Sequence, residues 1–403
     1  MTPWSGMFDG QLAVQPPLTD EQLDLVPAKR GVVALLADRD LPIVALTAAD
    51  IRARVKARLR NPDEDPRRKI ADLRGITRKV LWKLTAGHFE TDLEYLRIAR
   101  AVWPGQYASM LSWRPAWFVY VNAAEEFPHF VRTDDVLGSA GLYVGPFASG
   151  RAADRFIEAI QDAFDLCRDL RCLRQAPHGP RCSYGQMERC VCPCDGTMPM
   201  DEYRRLMARA ADFAAGSRDA FRDELRARMS QAAAALEFER AAALKSRLER
   251  LAEFDRDEYG NAAPIEQFRF LLVQPGPSSR KARAFLADSS AVERAGDLDY
   301  PVKADQTAAA VERARAWRGA FDGDAAARRW RIGLVAHYLC CSDQKRGLIL
   351  RVRDALTAEE LAASVEKAAA VLHLRAPKPR VRAPKAQGAA ARPAEDYNRP
   401  DGR

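Results

Sequence analysis

Six of the eight cysteines in this chain lie between residues 167 and 194. They are Cys167, Cys172, Cys182, Cys190, Cys192 and Cys194, and the last four share the stretch "CSYGQMERCVCPC". Structural zinc and iron–sulfur clusters both take four ligands of this kind, held by short, irregular backbone. Cys182, Cys190 and Cys194 are separated by seven and three residues. Cys167 closes the preceding helix with Cys172 nearby, and Cys192 falls between two of the others, so its side chain is expected to point away. No CxxC pair occurs, which argues against an ordinary zinc ribbon. His178 could add a nitrogen, but a single loop histidine is more often solvated. Spacing alone favours a metal site over idle thiols and leaves iron–sulfur and zinc open.

Disulfides are the weaker reading. The opening "MTPWSGMFDGQLAVQPP" has no basic stretch followed by an apolar one, so no secretory signal is expected. No run of about 18 apolar residues suggests a membrane helix, and no membrane partner is expected. A cytoplasmic location follows as the expectation, and disulfides are rare there.

The elements that position the loop flank it. In "SGRAADRFIEAIQDAFDLC" Phe156, Ile157, Ile160 and Phe164 share one helical face. "MDEYRRLMARAADFAAGS" is a helix ended by Gly216, with Ser217 capping the next. That next stretch stripes Leu225, Met229, Leu236, Phe238, Ala241, Ala242, Leu244, Leu248 and Leu251 along a helical hairpin. Its leftover apolar surface invites a partner. The loop itself contains Pro177, Gly179, Pro180 and Pro193, so no regular element of any length is expected there.

Further out, "RGVVALLADRDLPIVALT" reads as a β-hairpin. "AADIRARVKARLR" puts Ile51, Val55 and Leu59 on one helical face, with Arg52, Arg54, Lys56 and Arg58 around the rest. "ETDLEYLRIARAVWPG" is a helix with Leu93 and Leu96 in step, and "AWFVYVNA" and "GLYVGPF" are strands. Towards the C-terminus "QFRFLLVQP" is a strand and "TAAAVERARAWRGAF" a helix that "FDGD" is expected to end. "RRWRIGLVAHYLCC" and "RGLILRVRD" read as strands or buried pieces around a turn, with His337 and Tyr338 in the core and Cys340 and Cys341 as buried thiols. "TAEELAASVEKAAAVLHL" is a helix opened by a Thr357/Glu360 capping box.

The expected fold class is α+β. It comprises an extended lead-in (1–28), a small mixed-sheet domain (29–107), connecting strands and a helix (108–166), and the cysteine loop (167–196). A helical segment (197–256), a second α+β domain (264–372) and a disordered basic tail (375–403) follow. The tail holds eight Lys and Arg against three Asp and Glu, a net of +5 out of a formal +8. It could attract phosphate weakly. The remainder is only mildly basic, so charge alone does not make this a DNA-binding protein.

The blocks "GLYVGPFASGRAADRFIEAIQDAFDLCRD", "PRCSYGQMERCVCPCDG", "MPMDEYRRLMARAADFAAG" and "ALEFERAAALKSRLERL" occur in this order over about residues 140–254. Together they resemble consecutive blocks of the UvrC family, the C component of the ABC excinuclease. The resemblance implies that Cys167, Cys182, Cys190 and Cys194 hold a 4Fe–4S cluster, with zinc as the alternative. It also implies a UVR hairpin, carried by Leu236, Phe238, Glu239, Ala241 and Ala242, that binds the excinuclease B subunit.

Residues 30–107 are similar in layout to that family's GIY-YIG nuclease domain, in which an Arg and a metal stabilise developing phosphoryl charge. Val33 replaces a tyrosine there, and Val44-Ala45-Leu46-Thr47 lacks the Tyr, Gly and Lys. Arg54 matches the catalytic arginine, while Arg58 stands where a tyrosine belongs. The metal-binding glutamate falls on Tyr95, leaving only Glu90 or Glu94 nearby. An inactive site is therefore expected, with Mg²⁺ needed only if cutting persists. Arg52, Arg54, Lys56 and Arg58 remain candidates for contacting damaged DNA. Neither the family's RNase H-like domain nor its helix-hairpin-helix pair is recognised after residue 260.

Overall fold

The computed structural model describes residues 4–15, 19–59, 71–136 and 140–376. Three antiparallel sheets organise a mixed α/β fold. The first is built from β1 (Gly10–Ala13), β2 (Gly31–Leu36), β3 (Pro42–Ala48) and β4 (Lys79–Leu84), in the order β1-β4-β2-β3. Every residue of β2 is buried, which is why it reads as an unbroken apolar run: both sheet faces are covered. Val33 and Leu35 pack against Ile51 and Val55 of α1 (Ile51–Arg58) and against Leu59 just beyond it. Val32, Ala34 and Leu36 pack on the opposite side with Ile98 of α2 (His88–Val102). Asp50 caps α1 by accepting the Ala53 N–H at 2.9 Å.

The stretch expected as an extended lead-in is not a bare one. It contributes β1, a short helix over Asp20–Asp24 closed by a Thr19/Gln22 capping box, and buried Val14, Leu23 and Val26. Pairing with β4, a strand some seventy residues away, orders it, and no local pattern announces that pairing.

The middle sheet holds β5 (Trp117–Val121), β6 (Val131–Thr133) and β7 (Leu142–Phe147), covered by α3 (Gly150–Phe164). After the cysteine loop come α4 (Met200–Ala215), α5 (Arg218–Ala234) and α6 (Phe238–Arg250). The chain then returns as β8 (Ala263–Pro264) to the edge of β7. Gly216 ends α4 with φ of 127°, a conformation that L-residues rarely adopt. Phe156, Phe164, Phe213, Phe221, Phe254 and Tyr259 form one aromatic core beneath these helices.

The third sheet comprises β9 (Arg269–Pro275), β10 (Lys281–Asp288), β11 (Val292–Asp299) and, after α7 (Ala304–Ala316) and α8 (Ala325–Leu339), β12 (Leu348–Arg351). Helix α9 (Ala358–Lys367) follows, with Thr357 accepting the Glu360 N–H at 3.1 Å. Two expectations are corrected here. "RRWRIGLVAHYLCC" is helix α8, not strand, because it is buried nearly all round over its second half and its 3.6-residue signal is erased. "FDGD" starts that helix instead of ending the previous one, with Asp324 accepting from the Ala327 N–H at 2.8 Å. Cys340 is exposed at the end of α8, and Cys341 is half-buried against His337. The basic tail lies outside the described residues from 377 onward.

Helix α2 serves two sheets. Ile98 faces the first, while Phe89, Leu93, Leu96 and Ala99 join Phe270, Leu272 and Phe285 of the third and Leu334 and Tyr338 of α8. No described helix is long and apolar enough to cross a membrane.

Candidate functional site

The cysteine loop is tied to its surroundings at several points. Asp165, in the left-handed region at φ 51°, ends α3, and its carbonyl accepts the Val191 N–H at 2.9 Å. Asp162 of α3 receives Arg168 and, at 2.7 Å, Arg189. Arg181 donates to Asp195 and Thr197, each at 2.8 Å. Hydrogen bonds from Thr197 and then Arg181 hold the Asp195 carboxyl down to about 2. Contrary to expectation, the loop contains two single helical turns, Leu170–Leu173 and Ser183–Gln186. Asp169 caps the first through the Arg171 N–H at 2.8 Å, and Cys182 starts the second. Single turns closed by local caps leave no periodic trace.

Cys167, Cys190 and Cys194 are buried and Cys182 is half-buried. Cys190 and Cys167 act on each other, lowering the pKa of Cys167 and, with burial, raising that of Cys190, and the Cys167 thiol donates to the Asp169 carbonyl at 3.4 Å. Cys182 and Cys194 are close enough for their charges to act on Cys167. Cys194 also approaches the Pro180 carbonyl at 3.7 Å. Cys172 feels Cys182 and Cys194 but is chiefly raised by burial. Cys192 turns aside: its thiol donates to the Cys190 carbonyl at 3.2 Å, lies against Gly185, and is pushed up to about 11 by burial. A side chain at position 185 would collide with that sulfur. His178 is exposed.

Among the described residues no three His, Cys, Asp or Glu side chains already stand in a metal-holding arrangement. The thiols of Cys167, Cys192 and Cys194 reach backbone carbonyls instead. Their chemistry nevertheless fits a thiolate-bound group: four sulfurs gathered on irregular backbone, three of them buried. A further observation points the same way. Tyr203, on the first turn of α4, is fully buried beside Cys167 and Cys190, and its hydroxyl has no partner. The Cys167 backbone N–H lies next to that oxygen without reaching hydrogen-bond geometry. Burial pushes the phenol up, so it stays a donor.

The residues matched to a phosphodiester-cutting site are not brought together. Arg54 is exposed on α1 and, among the described residues, pairs with none. Glu90 and Glu94 are on α2, across the sheet from α1. Glu90 accepts the Ala86 N–H at 2.7 Å and pairs with Arg283 of β10 at 2.7 and 2.9 Å. Arg283 also bonds Asp297 at 3.0 Å, and the side chains of Arg283, Glu90 and Asp297 are 11%, 11% and 17% exposed. Glu94 pairs with Arg97 at 2.7 Å. Val33 and Leu46, opposite each other on β2 and β3, pack with the α1 core, and Tyr95 packs partly buried between α2 and both its neighbours. Of the basic set, Arg52 is spent on Asp24 at 3.2 Å and the Val26 carbonyl at 2.7 Å, and Arg58 on the Ala71 carbonyl at 3.2 Å. Lys56 is exposed.

The hairpin of α5 and α6 is anchored at its base and bare at its tip. Leu225, Ala232, Leu244 and Leu251 are buried. Arg247 reaches the Ala163 carbonyl at 2.6 Å, and Arg250 lies 3.6 Å from Asp165. At the turn Leu236 adopts φ 60°, and Leu236 and Phe238 are 71% and 67% exposed. Glu239 and Ala242 are exposed beside them and Ala241 is half-buried.

Residues 116–213 match the UvrC/Cho excinuclease middle domain. UvrABC system protein C of Hyphomonas neptunium is 27% identical over 250 residues, covering 61% of this chain and 40% of that protein. The protein of the same name from Maricaulis maris is 26% identical over 289 residues, covering 68% and 43%. That of Ruminiclostridium cellulolyticum is 32% identical over 136 residues, covering 32% and 22%. The chain is thus a relative of the UvrC family, similar to its N-terminal half. It spans about two-fifths of the length of the first two relatives. No solved structure matches it.

Sequence reasoning passes over Tyr203, Arg283 and Asp297. Tyr203 is in step with Met207, Ala210 and Phe213, which marks it as core, and nothing marks its hydroxyl. Arg283 lies in "KARAFLAD", whose small alanines mute the alternation that would announce a strand.

Proposed function

We propose that this chain is a UvrC-like accessory of nucleotide excision repair that docks on the excinuclease B subunit through the α5–α6 turn and works on damaged DNA without a cutting centre of its own. The observation that carries this reading is the exposed pair Leu236 and Phe238. Two large apolar side chains at a turn, ringed by Glu237, Glu239 and Arg240, have the make-up of an interface centre with a charged rim. Their occupant would be a helical hairpin of the partner, laying its own apolar stripe over the turn.

Residues 29–107 are read as a GIY-YIG-like domain that has lost its chemistry. Supporting this, hydrocarbon fills the sheet face under α1, Arg283 occupies Glu90, and Arg54 has no carboxylate partner among the described residues. No Mg²⁺ site is assigned. Arg54 faces solvent and could touch backbone phosphate. Cys167, Cys182, Cys190 and Cys194 are proposed to hold a 4Fe–4S cluster, with zinc as the alternative. When bound, such a group would supply a cross-link among otherwise irregular segments. The chain's own part is to bury the sulfurs, donate the Cys192 N–H to the Cys190 sulfur at 3.4 Å, and clamp the loop through Arg181.

Calorimetric titration with the purified B subunit tests the docking. Phe238→Asp should weaken binding at least tenfold, since a charge would replace the apolar centre of the contact. Unchanged affinity would sink the docking reading. A companion assay with damaged duplex, B subunit and Mg²⁺ should give no incision by this chain, and incision abolished by Arg54→Ala would restore the nuclease.

A further inference from the structure

Tyr203 is fully buried, its hydroxyl is unpartnered, and it shares one buried cluster with Cys167 and Cys190. A buried hydroxyl without a partner is disfavoured unless something else comes to it. Packing alone would be met by phenylalanine, and the neighbouring core is in fact phenylalanine-rich, with Phe164, Phe213 and Phe221.

We propose that Tyr203 is a positioning residue of the cysteine centre, donating its hydroxyl hydrogen bond to a sulfur of the Cys167–Cys190 pair when those sulfurs bind metal. This rests on the metal reading of the four thiols. Metal ligation requires both sulfurs as thiolates. The bond that the Cys167 thiol now donates to the Asp169 carbonyl would then be gone, its proton having left to solvent. Two adjacent negative sulfurs need donors. One is already aimed: the Cys192 N–H, 3.4 Å from the Cys190 sulfur. Tyr203 is the other, and its free proton is what the Cys167 sulfur then lacks. The Cys167 N–H next to the phenol oxygen could complete a short relay, with the hydroxyl accepting from backbone and donating to sulfur. Hydrogen bonds from outside the ligand set orient sulfur ligands and tune the group they hold.

The test compares the full chain with Tyr203→Phe, both purified under argon. One portion of each is reconstituted with ferrous iron and sulfide, another with Zn²⁺. Release to excess chelator is followed by the visible thiolate–iron absorption or by a zinc dye. Tyr203→Phe should release metal about tenfold faster. Its metal-free form should melt no lower than the unsubstituted protein, because the lost hydroxyl had no partner. Equal release rates overturn the assignment of Tyr203 alone. Equal destabilisation of metal-free and loaded forms also overturns it, since that is the mark of simple packing. If the unsubstituted protein takes up metal in neither arm, the metal reading fails and carries the assignment with it.

Discussion

Arg283→Met is the substitution that most directly separates a structural from a catalytic Glu90. Arg283 answers two carboxylates at once, Glu90 at 2.7 Å and Asp297 at 3.0 Å. Methionine keeps most of the volume and removes the charge. Glu90 is then left buried with only the Ala86 N–H, while Asp297 retains Arg294 at 3.1 Å. Breaking a buried pair from one side costs about 3–5 kcal/mol, which lowers the melting temperature of a unit this size by on the order of 10 °C. Glu90→Gln is milder. The amide oxygen can still accept from Ala86 or Arg283, and Arg283 keeps Asp297, so the expected loss is about 1–3 kcal/mol. In the double variant the two losses should not add, with a coupling of roughly 2 kcal/mol. Urea melts of all four proteins by circular dichroism give the cycle. Additive losses would refute the pairing. A fully stable Glu90→Gln that lost Mg²⁺-dependent incision would refute the structural role itself.

Other substitutions should behave as follows. Asp195→Asn should destabilise the protein near neutrality but not at low pH. The carboxyl is held at about 2, below its unfolded value near 3.9, so the unfolded chain binds the extra proton and stability falls with pH across that window. Melting curves from pH 7 to 2 should show the difference from the unsubstituted protein shrinking below about pH 4. Gly216→Ala, at φ 127°, should cost about 1 kcal/mol or more in a urea melt. Asp324→Ala removes the cap of α8 and should cost about 1 kcal/mol. Phe238→Asp, being exposed, should leave stability within about 0.5 kcal/mol, so lost docking cannot be blamed on unfolding.

What could be read in advance follows from the range of the forces. Helices with one dry stripe, such as α3 and α4, announce themselves because burial on one side imposes a 3.6-residue rhythm. The crowding of the thiols was legible in the same local way, whereas the docking role of Phe238 came from the family resemblance and its exposure from the structure. Helix α8 was not legible, since a helix buried nearly all round over its second half has little rhythm to show. Nor was β1, whose identity depends on β4, or β11, whose "VERAGDLD" is mostly polar and is made a strand by its neighbour β10. The fate of Glu90 was hidden for the same reason. Its partner is 193 residues away, and no window of sequence contains both.

The sharing of α2 between two sheets also sets a clock. Asp92 waits for the hydroxyl of Tyr338, 246 residues downstream, at 2.6 Å. At about 5–20 residues per second on the ribosome, that interval is on the order of 10 to 50 s. Until β9 and β10 are made, Phe89, Leu93 and Leu96 lack the third sheet they pack against. The nascent N-terminal half therefore presents a greasy helix face for most of its synthesis, and a chaperone that shields such faces would act on this chain before its last hundred residues emerge.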